Sequence, residues 1–334
     1  MKKWKMVLSV LTAMAMTATL SLSGCAEEAE TATTVHFGVL SGPTGIGAAK
    51  LLTDSDNGET GNTYEYIIAA DNSEIVSGLT TGELDIACMA SNMALNLYNQ
   101  TKDSEDSGIQ VIALGTQGVL HILESGGSEE IQTISDLEGK TIYATGQGSN
   151  PEYVLRYLLE CNDLDPDEDV EIVFAEATEI SAGLISGEIE AAMLPVPAAT
   201  AAILQSDGTV RDAIDVNDAW EELGNGSSLI MTAVVARTEF IEENPDAVET
   251  FLDEYEASIG YVNSNVEEAA EFVAELGITP SAAIAAAAIP QCNLVFISGE
   301  AMETAITDYY EVLYEANPDS VGGELPDDEY YYVG

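Results

Sequence analysis

Side chains able to do chemistry are scarce in this chain: 334 residues carry 2 histidines, 4 cysteines and 9 basic residues against 59 acidic ones. His36 and His121 each lie in apolar, strand-like runs (VHFGVL and LHILE). In such a setting an imidazole held by the core is commoner than a general acid or base. No thiol–histidine motif is present, two histidines do not furnish a zinc site of ordinary spacing, and Asp165-Pro166-Asp167-Glu168-Asp169 lacks the spacing and glycine of an EF-hand. Catalysis and metal binding are therefore poorly supported. What the sequence does offer is backbone: glycine-rich turns between a strand and a helix, where free N–H groups form a ready cradle for a ligand.

The first such turn is Gly42-Pro43-Thr44-Gly45, and around it Val35 to Leu52 reads as an alternating strand that stops and a helix that begins. Gly42-x-x-Gly45-x-Gly47 matches neither a P-loop nor a dinucleotide fingerprint, and Lys50 falls a helical turn too late to serve as a phosphate lysine. A second turn, Thr145-Gly146-Gln147-Gly148-Ser149-Asn150, follows the strand-like TIYA and precedes Pro151. Proline stands where a third glycine belongs, which argues against a dinucleotide site and for the first turn of a helix capped by Ser149 or Asn150. Ser91 and Asn92 open a further helix after the buried run LDIACM.

These turns must be positioned by two similar halves. Gly78-Leu79-x-x-Gly82-Glu83-Leu84-Asp85-x-Ala87 returns 105 residues later as Gly183-Leu184-x-x-Gly187-Glu188-Ile189-Glu190-x-Ala192. Between the lobes, Ile109 to Glu124 is a long extended stretch broken at Gly115 to Gly118, and Leu229 to Ala236 reads as a return crossing. Two hinge strands between two lobes are implied. Asn244-Pro245 then starts a helix with Val248, Phe251, Leu252, Tyr255, Ile259 and Val262 on its core face. Further helices are expected over 266–276, 280–289 and 299–316, before an acidic, tyrosine-rich tail from Pro326.

The acidic excess excludes nucleic acid as a partner and marks a hydrated surface. Lys2, Lys3 and Lys5 precede an uncharged apolar stretch from Met6 to Leu22, an export signal. Leu22-Ser23-Gly24-Cys25 resembles the lipobox of bacterial lipoproteins, which implies residues 1–24 as a signal peptide, lipidation of Cys25 and a tether over 25–33. Cys88, Cys161 and Cys292 read as inert thiols rather than a disulfide.

Taken in order, GLTTGELDIACMASN, ISDLEGKTIYATGQGSNPEYVLRYLLE, GLISGEIEAAMLPVP and ARTEFIEENPDAVETFL resemble the substrate-binding proteins of ABC importers, in the branch of nitrate, sulfonate, taurine and thiamine-precursor binders. The resemblance implies an α/β fold of the two-lobed periplasmic-binding-protein type (type II). Lobe 1 would comprise 34–116 and 230–334, lobe 2 would comprise 117–229, and the ligand cleft would lie between them. Ligand contacts are expected at Gly42, Pro43, Thr44, Gly45, Ser91, Asn92, Gln117, Thr145, Gly146, Gln147, Gly148, Ser149, Asn150, Glu179 and Val196. Members often place an acidic residue between the two prolines where this chain has Pro195-Val196-Pro197. The implied protein is a monomeric, lipid-anchored, extracytoplasmic solute binder that works with a membrane permease and has no cofactor, no metal and no enzymatic activity. A neutral or zwitterionic solute fits best, such as a thiamine-precursor-like heterocycle or a sulfonate, stacked on Tyr143, Tyr153 or Trp220. The rival readings are an enzyme of the same fold and a surface receptor with a vestigial cleft.

Overall fold

The computed structural model describes residues 32–104, 108–127 and 129–334; Cys25 and the expected leader lie outside them. The alternation of Val35, Phe37 and Val39 produces strand β1 (Thr34–Leu40), with all three side chains fully buried. It lies between β2 (Thr63–Ala69) and β3 (Ile86–Ala90), both parallel to it. Beyond β3, β10 (Thr232–Arg237), β4 (Ile109–Thr116) and β11 (Leu294–Ile297) pair antiparallel in turn, completing the order β11-β4-β10-β3-β1-β2. The second sheet holds β5 (Leu120–Glu124), β6 (Thr141–Ala144), β7 (Glu171–Phe174), β8 (Ala191–Pro195) and β9 (Arg211–Asp215) in the order β7-β6-β8-β5-β9. Here too three parallel strands are followed by an antiparallel one, β5.

The break at Gly115 to Gly118 is where the chain leaves the large sheet for the small one. It returns at Met231, whose N–H donates to the Thr116 carbonyl at 3.2 Å. The Thr116 and Thr232 hydroxyls are 2.9 Å apart, so the two crossings run side by side.

The 105-residue echo has a common physical cause. Helices α2 (Asn72–Thr81) and α5 (Ala177–Ser186) each end on a left-handed glycine, Gly82 and Gly187. In the first copy the N–H groups of Glu83 and Leu84 return to the Gly78 carbonyl at 2.9 and 3.0 Å; in the second those of Glu188 and Ile189 return to Gly183 at 2.9 and 3.1 Å. A side chain at Gly78 or Gly183 would meet Leu84 or Ile189 at 2.6 or 2.5 Å, so the tight return demands glycine at both places.

Helix α1 (Pro43–Asn57) packs on α9 (Pro245–Ser264), whose Val248, Phe251, Tyr255, Ile259 and Val262 are buried as the spacing predicts. Leu252 is only partly buried, at the edge of that stripe. Phe251 sits 5.0 Å from the Phe37 ring and 5.5 Å from that of Tyr255. Phe251→Ala is expected to cost about 3–5 kcal/mol, because the surrounding rings cannot collapse into the space left; urea denaturation measures it. Helix α12 (Gly299–Ala316) precedes the tail, which docks: Tyr330 is fully buried and its hydroxyl is 2.9 Å from that of Tyr310. Among the described residues no helix is long and apolar enough to cross a membrane.

Candidate functional site

Five helices begin where the parallel strands of the two sheets end. They are α1 after β1, α3 (Ser91–Thr101) after β3, α4 (Asn150–Cys161) after β6, α5 after β7 and α6 (Ala198–Gln205) after β8. None of the five has a side chain capping its first turn. By contrast α2, which follows the edge strand β2, is capped by Asp71, and α7 (Val216–Glu222) by Asp215. An uncapped helix start leaves N–H donors and the positive end of the helix dipole available. The two strand-end edges meet, since the Asn150 Nδ2 of α4 donates to the Ser91 Oγ of α3 at 2.9 Å.

The residues expected from sequence fall at these edges in two groups. Gly42, Pro43, Thr44, Gly45, Ser91 and Asn92 lie at the ends of β1 and β3. Thr145, Gly146, Gln147, Gly148, Ser149, Asn150, Glu179 and Val196 lie at the ends of β6, β7 and β8, with Gln117 in the crossing between. Several polar groups among them are already engaged by protein. The Thr44 Oγ1 exchanges hydrogen bonds with the Leu40 N–H and carbonyl, and the Ser91 Oγ donates to the Ile230 carbonyl at 2.6 Å. The Gly148 N–H donates to Glu152 at 2.8 Å, and the Gln117 N–H to the Asn293 carbonyl at 3.1 Å. Glu179 is exposed, whereas Val196 is fully buried.

Two features stand out at these edges. Gly42 is buried, yet a side chain built on it would meet no atom within 4 Å. Gly45 differs: a side chain there would strike the Leu40 carbonyl at 2.8 Å, so its glycine serves packing. The second feature is Thr200, in the first turn of α6. It is 4% exposed and its hydroxyl has no partner. A threonine in a short alanine-rich helix gives no signal in sequence, and its orphaned hydroxyl is visible only in three dimensions.

Trp220 does not offer a stacking face. It is fully buried between Tyr157 and Tyr309, with ring centroids at 5.1 and 5.6 Å, and its Nε1 donates to the Ser227 carbonyl. Tyr153 lines a groove between α4 and α12, and Tyr143 packs against the smaller core.

Reactive chemistry is equally constrained. Burial pushes the Cys88 and Cys292 thiols up to about 12, which keeps them protonated at neutral pH; Cys161 is exposed, and all three are free. His36 Nδ1 lies 2.7 Å from Asp85, and His121 Nδ1 lies 2.9 Å from Asp212. Burial by itself would lower the His121 pKa, but the hydrogen bond to Asp212 and the charges of Asp212, Asp215 and Asp218 outweigh it and raise it above the ordinary histidine value. Because the folded-state pKa is the higher one, this pair stabilises the fold fully below the unfolded histidine pKa of about 6.5 and loses that contribution as pH rises through the raised value. Thermal melts from pH 6 upward are expected to show this loss, and His121→Gln to flatten it.

All six basic residues of the described chain are paired with carboxylates: Lys50 with Asp54, Lys102 with Glu324, Lys140 with Glu130, Arg156 with Glu152 and Asp167, Arg211 with Glu124, and Arg237 with Glu239. None of the six belongs to the strand-end turns.

The fold is that of the two-lobed periplasmic binding proteins. A solved ABC transporter structure from Parabacteroides distasonis superposes with a TM-score of 0.73 at 24% identity, covering 90% of this chain and 99% of that one. The periplasmic aliphatic sulphonate binding protein SsuA from Escherichia coli gives 0.68 at 17% identity, covering 88% and 91%. The periplasmic nitrate-binding protein NrtA from Synechocystis gives 0.61 at 12% identity, covering 90% and 84%. No curated protein matches significantly in sequence. The family model described as NMT1/THI5 like matches residues 61–269, and the chain belongs to that family.

Proposed function

We propose that this protein captures a small solute between its lobes (34–116 with 230–334, and 117–229) and delivers it to an ABC permease, held at the outer face of the membrane by lipid on Cys25. One observation carries the reading: five uncapped helix starts gather where the two sheets' parallel strands end, with a buried, unfilled space at Gly42 and an orphaned hydroxyl at Thr200. Such a lining offers neutral hydrogen-bond donors. It supplies no cation, since every lysine and arginine of the described chain already faces a carboxylate elsewhere.

That donor set suits a neutral or zwitterionic solute whose oxygen atoms accept from backbone N–H groups, a nitrogen heterocycle of the thiamine-precursor kind being one example. Two solved neighbours of this fold are named for binding sulphonate and nitrate, which supports a solute bearing oxygen atoms. A sulfonate here would rest on helix ends alone.

A thermal-shift screen across vitamin precursors, amino-acid derivatives, sulfonates and nitrate tests this. A solute present at a hundred times its Kd adds about 2.7 kcal/mol, a rise in Tm of roughly 4 °C. Mass spectrometry of the bound fraction should return the solute unaltered. Recovery of a converted product would replace the binding reading with an enzymatic one.

A further inference from the structure

Asn150 and Ser91 look like ligand contacts in sequence, since each opens a helix after a strand. The structure gives them another task. Asn150 is fully buried, and its Nδ2 donates both to the Ser91 Oγ at 2.9 Å and to the Met231 carbonyl at 2.8 Å. Its Oδ1 accepts from the Tyr309 hydroxyl at 3.1 Å. Ser91, also fully buried, donates from its hydroxyl to Ile230 and from its N–H to Met231 at 3.1 Å, and its carbonyl accepts from the Tyr310 hydroxyl at 2.7 Å. One amide from the small-sheet lobe therefore binds a helix start, a crossing strand and a C-terminal helix of the large-sheet lobe. Both N–H donors of that amide are spent within the protein, and its oxygen already accepts from Tyr309.

We propose that Asn150 is the fastener that fixes how the two lobes sit against each other, a positioning residue for the solute site rather than a contact within it. The reason is an asymmetry between two places where the lobes touch. Parting them at Asn150 breaks three buried hydrogen bonds at once. Elsewhere α6 packs against α11 (Ala282–Ala288), and both helices are without a charged residue and rich in alanine. Among the described residues no hydrogen bond or ion pair joins these two helices, so separating them forfeits packing contacts. Motion therefore pivots at Asn150 and opens at the α6–α11 seam. Trp220, whose ring lies 5.6 Å from that of Tyr309 beside the fastener, extends the same fixed side.

The inference rests on the two-lobed fold and not on the solute, so its test needs none. Small-angle X-ray scattering of the full-length protein in solute-free buffer gives the radius of gyration of the wild type, Asn150→Leu, Ser91→Ala and Tyr309→Phe. The wild type is expected to be compact, Asn150→Leu to be larger by about 1 Å or more, and Ser91→Ala and Tyr309→Phe to fall between, each removing part of the same set of bonds. A lower Tm with an unchanged radius in all three variants would make Asn150 an ordinary core residue and overturn the proposal. Should Asn150→Leu not fold, the other two carry the same decision.

Discussion

Raising NaCl from about 20 mM to about 1 M should raise the melting temperature by roughly 10 °C, an unusually large response for a folded protein. The chain sets 59 acidic residues against 9 basic ones, three of which are Lys2, Lys3 and Lys5, outside the described residues. The six that remain are already consumed in ion pairs, so almost the whole carboxylate population repels itself across the surface. Acidic stretches such as Glu267 and Glu268 with Glu271 and Glu275 lie on single helices, where spacings of three and four residues bring like charges together. Shortening the Debye length from tens of ångströms to about 3 Å removes most of this repulsion in the folded state, which holds the charges closer together than the unfolded chain does. Sucrose at equal osmolarity, which acts by exclusion and not by screening, should recover only a small part of the gain. A melting temperature flat in salt would mean that bound cations, not bulk ions, balance the surface.

The second large effect is steric. Gly42→Leu is expected to abolish binding of whichever solute the thermal screen returns, a loss of at least about a hundredfold, while moving the basal Tm by no more than about 2 °C. The combination is unusual for a buried position and follows from the space at Gly42, where an added Cβ meets nothing within 4 Å. On the proposed function, the longer leucine side chain takes room that the solute would occupy. Gly42→Ala, adding one methyl group, should bind nearly as the wild type does. Calorimetric titration distinguishes the outcomes, and full affinity in the leucine variant would place the solute elsewhere.

The histidine and phenylalanine variants above probe the framework and not the site, which is why their effects fall on pH dependence and stability. A thiol-directed reagent is likewise expected to modify Cys161 alone among Cys88, Cys161 and Cys292, since the other two are buried.

Much of this protein was legible in its residues. The alternation around Phe37, the helical stripe through Phe251 and Tyr255, the break at Gly115 to Gly118 and the 105-residue echo are local patterns. Each is set by strand or helix periodicity, or by a glycine that a left-handed turn or a close approach requires. The acidic balance, too, is a property of composition alone. Three matters were settled only by packing. Trp220 became core and not a platform, because Tyr157 and Tyr309 from distant parts of the chain close on both of its sides. Asn150 carries the sequence marks of a helix start, but its partners Ser91, Met231 and Tyr309 lie between 59 and 159 residues away. Thr200 and Gly42 matter for what does not touch them. A missing neighbour leaves no trace in a one-dimensional pattern, because it depends on where every other element of the fold has come to rest.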